Sequence, residues 1–444
     1  MTLKDKLSEI KTIFIVMMEN RSFDHALGYL SLPPYNRDVD GIKQAWLKNY
    51  ASKYQGKDYP PWHRTDLYMP IDPTHERGDI AVQIGQQVPG FPMSGFVASY
   101  ASDPRVAPAD FADVMGYYTP NEIPITDFLA QNYLVCDRWF AAVPSSTQPN
   151  RLMSHSGYSL RDKTQSGMLD NQTLIYDWLT AAGRSWRVYY ESFPFFMLMS
   201  KVAEHFVNDA AQSNFFRNLE RLKSDVLAPG NLPDVVFIEP RYTDAPHIDP
   251  PDDDHPTTPV TGGQQFLWRV YDAVTANFER WQKSLMIVTY DENGGFFDHV
   301  APPACTATFN HGETYQGYTT LGVRVPALIV SPWMNKSEYH GTLDHLSMLK
   351  MFASKFTPGT DYSLDVKQRT VSGNVADIPV LDTARLDLPQ PPPYPSPMDV
   401  PPPTDSMGML SANGLAFRNS LEYMRELNPG AAAQLIPALA HYFR

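Results

Sequence analysis

The sequence predicts an α/β fold, a mostly parallel central sheet flanked by helices on both faces, and three observations predict it. Short apolar, β-branched runs recur along the 444 residues, and amphipathic helical stretches lie between them. The 40 prolines exclude a helical bundle or coiled coil, because proline breaks helix interiors and removes a backbone donor. Hydrophobic residues make up 43% of the chain and aromatics 12%, too apolar for a disordered polypeptide and enough for a sizeable core.

In chain order, Ile13–Met18 is the first buried strand. It runs directly into Glu19, is too short for a signal-peptide core and lacks a small-residue cleavage site. Asn132–Phe140, Trp186–Tyr190, Val235–Ile238, Leu285–Tyr290 and Ala327–Val330 are bounded by Pro, Asp or Gly, and each is long enough for one strand. Gln172–Ala182 places Leu174, Ile175, Trp178 and Leu179 on one helical face. Gln264–Trp281 does the same with Phe266, Val270, Val274 and Phe278, and Asp344–Phe356 follows suit. Strands alternating with such helices predict crossover connections and a parallel sheet. The long loops 33–125 and 240–262 are expected to be functional or to hold small elements of their own. A main domain over 1–387 is followed by a Pro-rich, polyproline-like strap over 388–405. The tail over 406–444 then reads as two helices, Leu410–Glu426 and Ala431–Tyr442, which the strap pins to the body.

Lys plus Arg number 36 against 49 Asp plus Glu, a net charge of −13. On average that repels nucleic acid and anionic bilayers, while cationic, zwitterionic or metal-bridged ligands stay open. No apolar stretch is long enough for a transmembrane anchor, so the expectation is a soluble protein, cytoplasmic or exported without a recognisable signal peptide. Two cysteines, Cys136 and Cys305, are too few for a disulfide framework. Neither their pairing nor the oligomeric state is readable from sequence.

Chemistry enters where two strands end alike. IFIVMM runs into Glu19-Asn20, and LMIVTY runs into Asp291-Glu292-Asn293-Gly294-Gly295. Ligands of parallel sheets bind outside the carboxyl ends of the strands, so both groups are expected in one crevice. Carboxylates and a carboxamide oxygen suit Mg, Ca or Mn, and also hold Zn or Fe. A third element, Ala141 to Arg151, reads as strand, turn and helix, with Pro149 opening the helix and Thr147 near its N-terminus. That position would receive a phosphoryl oxygen, and a nearby cation would activate the hydroxyl.

MMENRSFDHALG, VPSSTQPNRLMSHSG, DDDHP and TYDENGGFFDHV, in this order, resemble the bacterial phosphoesterase family of phospholipases C and an acid phosphatase, within the alkaline-phosphatase superfamily. The resemblance spans roughly residues 10–357, and LGVRVPALIVSPW and DHLSMLKMF fit its later segments. It implies an alkaline-phosphatase-like domain and a divalent metal ion, Ca, Mg, Zn or Fe, held by Glu19, Asn20, Asp291, Glu292 and the bridging nucleophile Thr147. It further implies His255 and His75 as catalytic residues that face the phosphate, and Asn150 and Arg151 as substrate-binding residues. His25 and His299, just behind the two metal pairs, would support them. The sequence departs from the family pattern in placing Ser145-Ser146 before Thr147 and Asn293 where a histidine is commonest.

The stretch Thr147 to Arg151 also resembles the sulfatase pattern. Oxidising threonine's secondary alcohol gives a ketone instead of the aldehyde sulfatases use, so phosphate is favoured. The expected activity is metal-dependent, phospholipase C-type hydrolysis of phosphodiesters through a phosphothreonine. Acid phosphatase-type monoester hydrolysis is the alternative, and a non-catalytic, metal-stabilised surface or effector protein is the alternative of another class. Tyr117-Tyr118 and the aromatic stretch Tyr189–Phe196 would either line a phospholipid head-group pocket by cation–π contacts or pack in the core.

Overall fold

A computed structural model describes residues 1–45, 47, 52–85, 93–209, 214–245, 249–305, 318–396 and 411–430. The main sheet has eight strands. In chain order they are β1 (Thr12–Met18), β2 (Leu134–Cys136), β3 (Trp186–Tyr190), β4 (Phe216–Asn218), β5 (Val235–Glu239), β6 (Ser284–Tyr290), β7 (Ala327–Val330) and β8 (Ser337–Tyr339). Their spatial order is β8-β2-β7-β6-β1-β5-β3-β4. Every pairing is parallel except the two made by β7. The central strands β1 and β6 are buried at every residue, which requires cover on both faces. The sequence-predicted α/β class is thus the observed one.

The helices that matter here are α1 (Pro124–Asn132), α2 (Thr147–Ser156), α3 (Ser200–Asp209), α4 (Val260–Thr275), α5 (Leu346–Phe356) and α6 (Ala412–Leu427). Gln264 of α4 accepts from the first backbone amides of α1, Ile125 and Thr126, and so caps it from a distance. The predicted helix 264–281 divides, because the Asn277 side chain accepts from Arg280 N and starts a separate turn over Phe278–Trp281.

The single strand expected over 132–140 is also divided. Asn132 ends α1, Leu134–Cys136 joins the main sheet, and Trp139–Phe140 pairs with Leu343–Asp344 in a sheet of its own. The break falls at Asp137, whose buried carboxylate accepts from Asp40 N and contacts His340 Nδ1, pulling the chain out of register.

Loop 33–125 does hold small elements, including two two-stranded sheets and the helices Arg77–Gln83 and Phe96–Tyr100. They close over a separate apolar cluster that includes Met69, Ile80, Phe96, Val97, Phe111 and Phe297. Where the strap is described it lies on α4: Tyr271 Oη, Trp268 Nε1 and Gln265 Nε2 donate to the carbonyls of Pro389, Pro392 and Pro395. The helix α6 follows, capped by Ser411 Oγ accepting from Gly414 N. The second predicted tail helix, Ala431–Tyr442, lies outside the described residues. Cys136 and Cys305 are both free and buried. Among the described residues no helix is long and apolar enough to cross a membrane.

Candidate active site

The register of the sheet builds the site. Met18 pairs with Tyr290 at the parallel ends of β1 and β6, so Glu19 and Asp291 leave the sheet side by side. Asp291 N donates to Met18 O at 3.1 Å, and Asn20 N approaches Asp291 Oδ1 at 3.4 Å. Asn20 has φ 61°, a left-handed conformation that asparagine tolerates better than most residues. Gly294 lets the two turns touch: a Cβ there would lie 2.3 Å from Asn20 O. The Asn293 side chain donates from Nδ2 to Gln83 Oε1 and Phe296 O, and its buried Oδ1 has no hydrogen-bond partner.

Glu19, Asn20, Asp291 and Glu292 are all buried. Yet Oε2 of Glu19, Oδ1 of Asn20 and Oε1 of Glu292 have no hydrogen-bond partner, and Oε1 of Glu19 meets only the Arg151 ion pair. Burying oxygen acceptors without donors costs about 1–3 kcal/mol each, and charged ones more. Burial and the neighbouring Asp291 and Asp253 charges push the Glu19 carboxyl well above its ordinary range, only partly opposed by Arg151. Burial, with Asp291, raises Glu292 to about 8 against the pull of His75. Of these four oxygen-bearing side chains at one end of the sheet, Glu19, Asn20 and Glu292 carry oxygens without donors, a ligand type that suits a hard divalent cation.

Two imidazoles flank the cradle. His75 Nδ1 lies 2.6 Å from Pro73 O and donates to it, so Nε2 faces Asn20 Nδ2 at 3.5 Å and Glu292 Oε1 at 3.7 Å. Burial opposes charge on His75, but the carboxylates of Glu292, Asp72 and Glu76 outweigh it and lift its pKa to about 10. The His255 ring centroid is 5.8 Å from that of His75, and its Nδ1 is engaged with Pro256 O. Asp72 lies between the rings, 3.9 Å from each, and raises His255 as well.

Thr147 is the first residue of α2 and is buried. Its neighbours are fixed on both sides. Ser146 Oγ donates to Glu76 Oε2 at 2.7 Å and accepts from Thr164 N and Oγ1, so that hydroxyl is committed to the protein. One turn on from Thr147, on the same helical face, Arg151 reaches the cradle. Its Nε lies 3.2 Å from Asp291 Oδ2 and its Nη2 3.0 Å from Glu19 Oε1. The helix that carries Thr147 is thereby tied to Glu19 and Asp291.

Two expected substrate ligands are engaged elsewhere. Asn150 spends its carboxamide on Val143 N and on the carbonyls of Val143, Ser145 and Ser146, shaping the turn that presents Thr147. Arg151 also donates to Tyr242 Oη and Met17 O, and is buried beneath the cradle. His25 and His299 lie in other networks, His25 on Gly116 O and Arg21, His299 on Asp24 and Asp40. The aromatic stretches Tyr117-Tyr118 and Tyr189–Phe196 are buried apart from the half-buried Glu191, as core packing predicts.

Sequence reasoning missed Asp72, Glu76 and His345. Asp72 and Glu76 bracket His75 in DPTHE, a signal that was present. Buried His345, whose Nδ1 accepts from Trp139 Nε1, lies with Nε2 2.7 Å from Asp291 O and supports that strand end from below.

The chain is similar in structure to an alkaline-phosphatase-superfamily protein from Vibrio parahaemolyticus, with 13% identity, a TM-score of 0.31, and 55% of this chain and 61% of that one covered. In sequence it is 35% identical over 353 residues to non-specific phospholipase C1 of Arabidopsis thaliana, covering 76% of this chain and 62% of that protein. It is 34% identical over 369 residues to non-specific phospholipase C4 of the same plant, covering 76% and 63%. Against phospholipase C B of Mycobacterium tuberculosis the identity is 28% over 411 residues, covering 79% and 74%. The chain thus spans a little under two thirds of the plant relatives, and the likeness is not confined to bacteria. The phosphoesterase family model matches residues 10–357, and the chain belongs to that family.

Proposed function

We propose that the protein is a metal-dependent phosphoric ester hydrolase of phospholipase C type, cleaving phosphodiesters such as phospholipid head groups through a phosphothreonine. The observation that carries this reading is the set of buried Glu19, Asn20 and Glu292 oxygens without hydrogen-bond donors, tied through Arg151 to the helix that begins at Thr147. A divalent ion held by Glu19, Asn20, Asp291, Glu292 and Thr147 would supply positive charge for the transferring phosphoryl and for the attacking hydroxyl.

The chain's own groups do the rest. The Thr147 hydroxyl attacks phosphorus in line, the alcohol leaves, and water then cleaves the phosphothreonine. The positive dipole end of α2, at Thr147, favours the negative phosphoryl oxygens. His75, held cationic by Glu292 and Asp72, orients a phosphoryl oxygen, and His255 protonates the leaving alcohol. Asn150 keeps the nucleophile turn in shape, and Arg151 holds Glu19 and Asp291 beneath it. The phospholipase C relatives favour diesters over monoesters.

The test is a release assay with Mg, Ca, Mn and Zn supplied separately. p-Nitrophenyl phosphorylcholine should be hydrolysed faster than p-nitrophenyl phosphate; the reverse ratio selects the acid phosphatase-type reading. Hydrolysis of neither leaves the non-catalytic alternative. Thr147→Ala should cost more than about 1,000-fold in kcat, as loss of a covalent nucleophile does. Ser146→Ala should keep most of it, and the opposite ranking moves the nucleophile.

A further inference from the structure

The helix α6 begins at Ala412, beyond the stretch that matches the family, yet it reaches the cation cradle through one buried chain of contacts. Arg151 sits in an aromatic box, its Cζ 4.8 Å from the ring centroids of both Phe195 and Tyr242. Tyr242 Oη accepts from Arg151 Nη1 at 2.9 Å and donates to Glu239 Oε2 at 3.0 Å, so the tyrosine is pinned at its tip. Behind the box stands Phe417 of α6, fully buried. Its ring lies 6.0 Å from Tyr242, nearly parallel, and packs edge-on to Phe195 at 5.9 Å and Phe193 at 5.2 Å. Two polar contacts place the same helix beside the site: Asn413 Oδ1 accepts from Gln148 Nε2, next to Thr147, and Ser411 Oγ donates to Asp244 Oδ1.

We infer that the C-terminal helix is a positioning element of the site: Phe417 fixes the Tyr242–Phe195 box, the box aims Arg151, and Arg151 sets the spacing of Glu19 and Asp291 for a divalent ion. This rests on the cation reading of the cradle. Arg151 meets Glu19 from β1 and Asp291 from β6 with two adjacent nitrogens of a rigid plane, so a tilt of that plane moves both carboxylates at once. Glu19 Oε2 stays unpartnered and available to the ion. A guanidinium free to tilt would leave the two carboxylates to repel each other and lose their spacing. Groups that orient metal ligands are worth about 10–100-fold in affinity.

The experiment measures the Mn dissociation constant by calorimetry in the full chain, with melting temperatures taken in chelator. Phe417→Leu keeps an apolar side chain and removes the flat wall; Tyr242→Phe keeps the wall and removes the hydroxyl. Both should weaken Mn binding about 10-fold, and both should lower kcat for p-nitrophenyl phosphorylcholine with KM little changed. Phe417→Tyr, which restores the ring, should bind Mn within about 3-fold of wild type. A helix that only contributes stability would lower the melting temperatures and leave all three dissociation constants at the wild-type value, and that result overturns the inference. Wild type that binds Mn but hydrolyses no ester overturns the proposed activity alone. Wild type that binds no Mn overturns this inference, whatever the assay shows.

Discussion

Two buried clusters of this molecule have nearly the same composition and opposite states. The cradle gathers Glu19, Asn20, Asp291 and Glu292 with His75. The second cluster gathers Asp24, Asp298 and His299, whose ligand-type atoms come close enough together to hold a metal, as do those of Asp72, His75 and His255 beside the cradle. In the second cluster every carboxylate has a partner. Arg324 Nε lies 2.9 Å from Asp298 Oδ1 and its Nη2 3.2 Å from Asp24 Oδ1, and His299 Nδ1 is 2.6 Å from Asp24 Oδ2. Backbone carbonyls of Asp40 and Asp137 take the remaining Arg324 donors. In the cradle, Arg151 serves two carboxylates and still leaves oxygens of Glu19, Asn20 and Glu292 without donors. The two clusters share residue types and differ in how far their lone pairs are satisfied.

The largest effect that would break this comparison is on the cradle. Glu19→Gln should abolish the rise in melting temperature that a divalent ion gives wild type, since an ion that binds only the folded state stabilises it by mass action. In chelator the same variant should melt as high as wild type or higher, because one of the crowded carboxylates is gone. Turnover should fall by more than the roughly 100-fold that loss of a neighbour of a metal ligand costs. A variant less stable in chelator and still responsive to metal would make the cradle a structural ion-pair cluster like the other.

The converse is expected of Arg324→Met. Removing a fully buried guanidinium takes the charge partner from Asp298 and leaves Asp24 to His299, at a cost of about 3–5 kcal/mol in unfolding free energy. At a temperature where the variant is still folded, its kcat and its Mn affinity should match wild type. A change in Mn affinity would show that the two clusters communicate, for which Phe23-to-Leu27, the short helix following Glu19 to Ser22, is the physical route.

How much of this was legible in the sequence follows from the range of the interactions. Glu19-Asn20 and Asp291-Glu292 were readable because each follows its own apolar run, and parallel register then brings the pairs together. Pro149 marked a helix start in the sequence, and the helix begins two residues earlier, at Thr147. Arg151 was placed in the site without its partners being visible, since its direction depends on Tyr242 and Phe417, far away in sequence. Asp72 and Glu76 belong to loop 33–125, whose path is set by a small apolar cluster with no strand or helix period to reveal it. The strand break at Asp137 was hidden for the same reason: the apolar pattern runs on through it, and only the tertiary partners Asp40 and His340 end the strand.

The smallest effect is a pH dependence confined to the satisfied cluster. Burial opposes the charge on His299, but Asp24, and then Asp40, outweigh it and raise its pKa to about 9, with Arg324 the nearby opposing charge. The unfolded chain's histidine titrates near 6.5. A folded pKa above the unfolded one means the protonated ring stabilises the fold: fully below about pH 6.5, progressively less as pH rises, and not at all above about 9. At roughly 1.4 kcal/mol per pKa unit, the ceiling is about 3 kcal/mol. The unfolding free energies of wild type and His299→Gln should therefore differ most at pH 6 and converge toward pH 9.5, measured in urea with metal chelated so that the cradle does not contribute. A gap that stays constant across this range would mean that His299 holds Asp24 as a neutral hydrogen-bond donor. In that case Arg324 alone would balance the two aspartates.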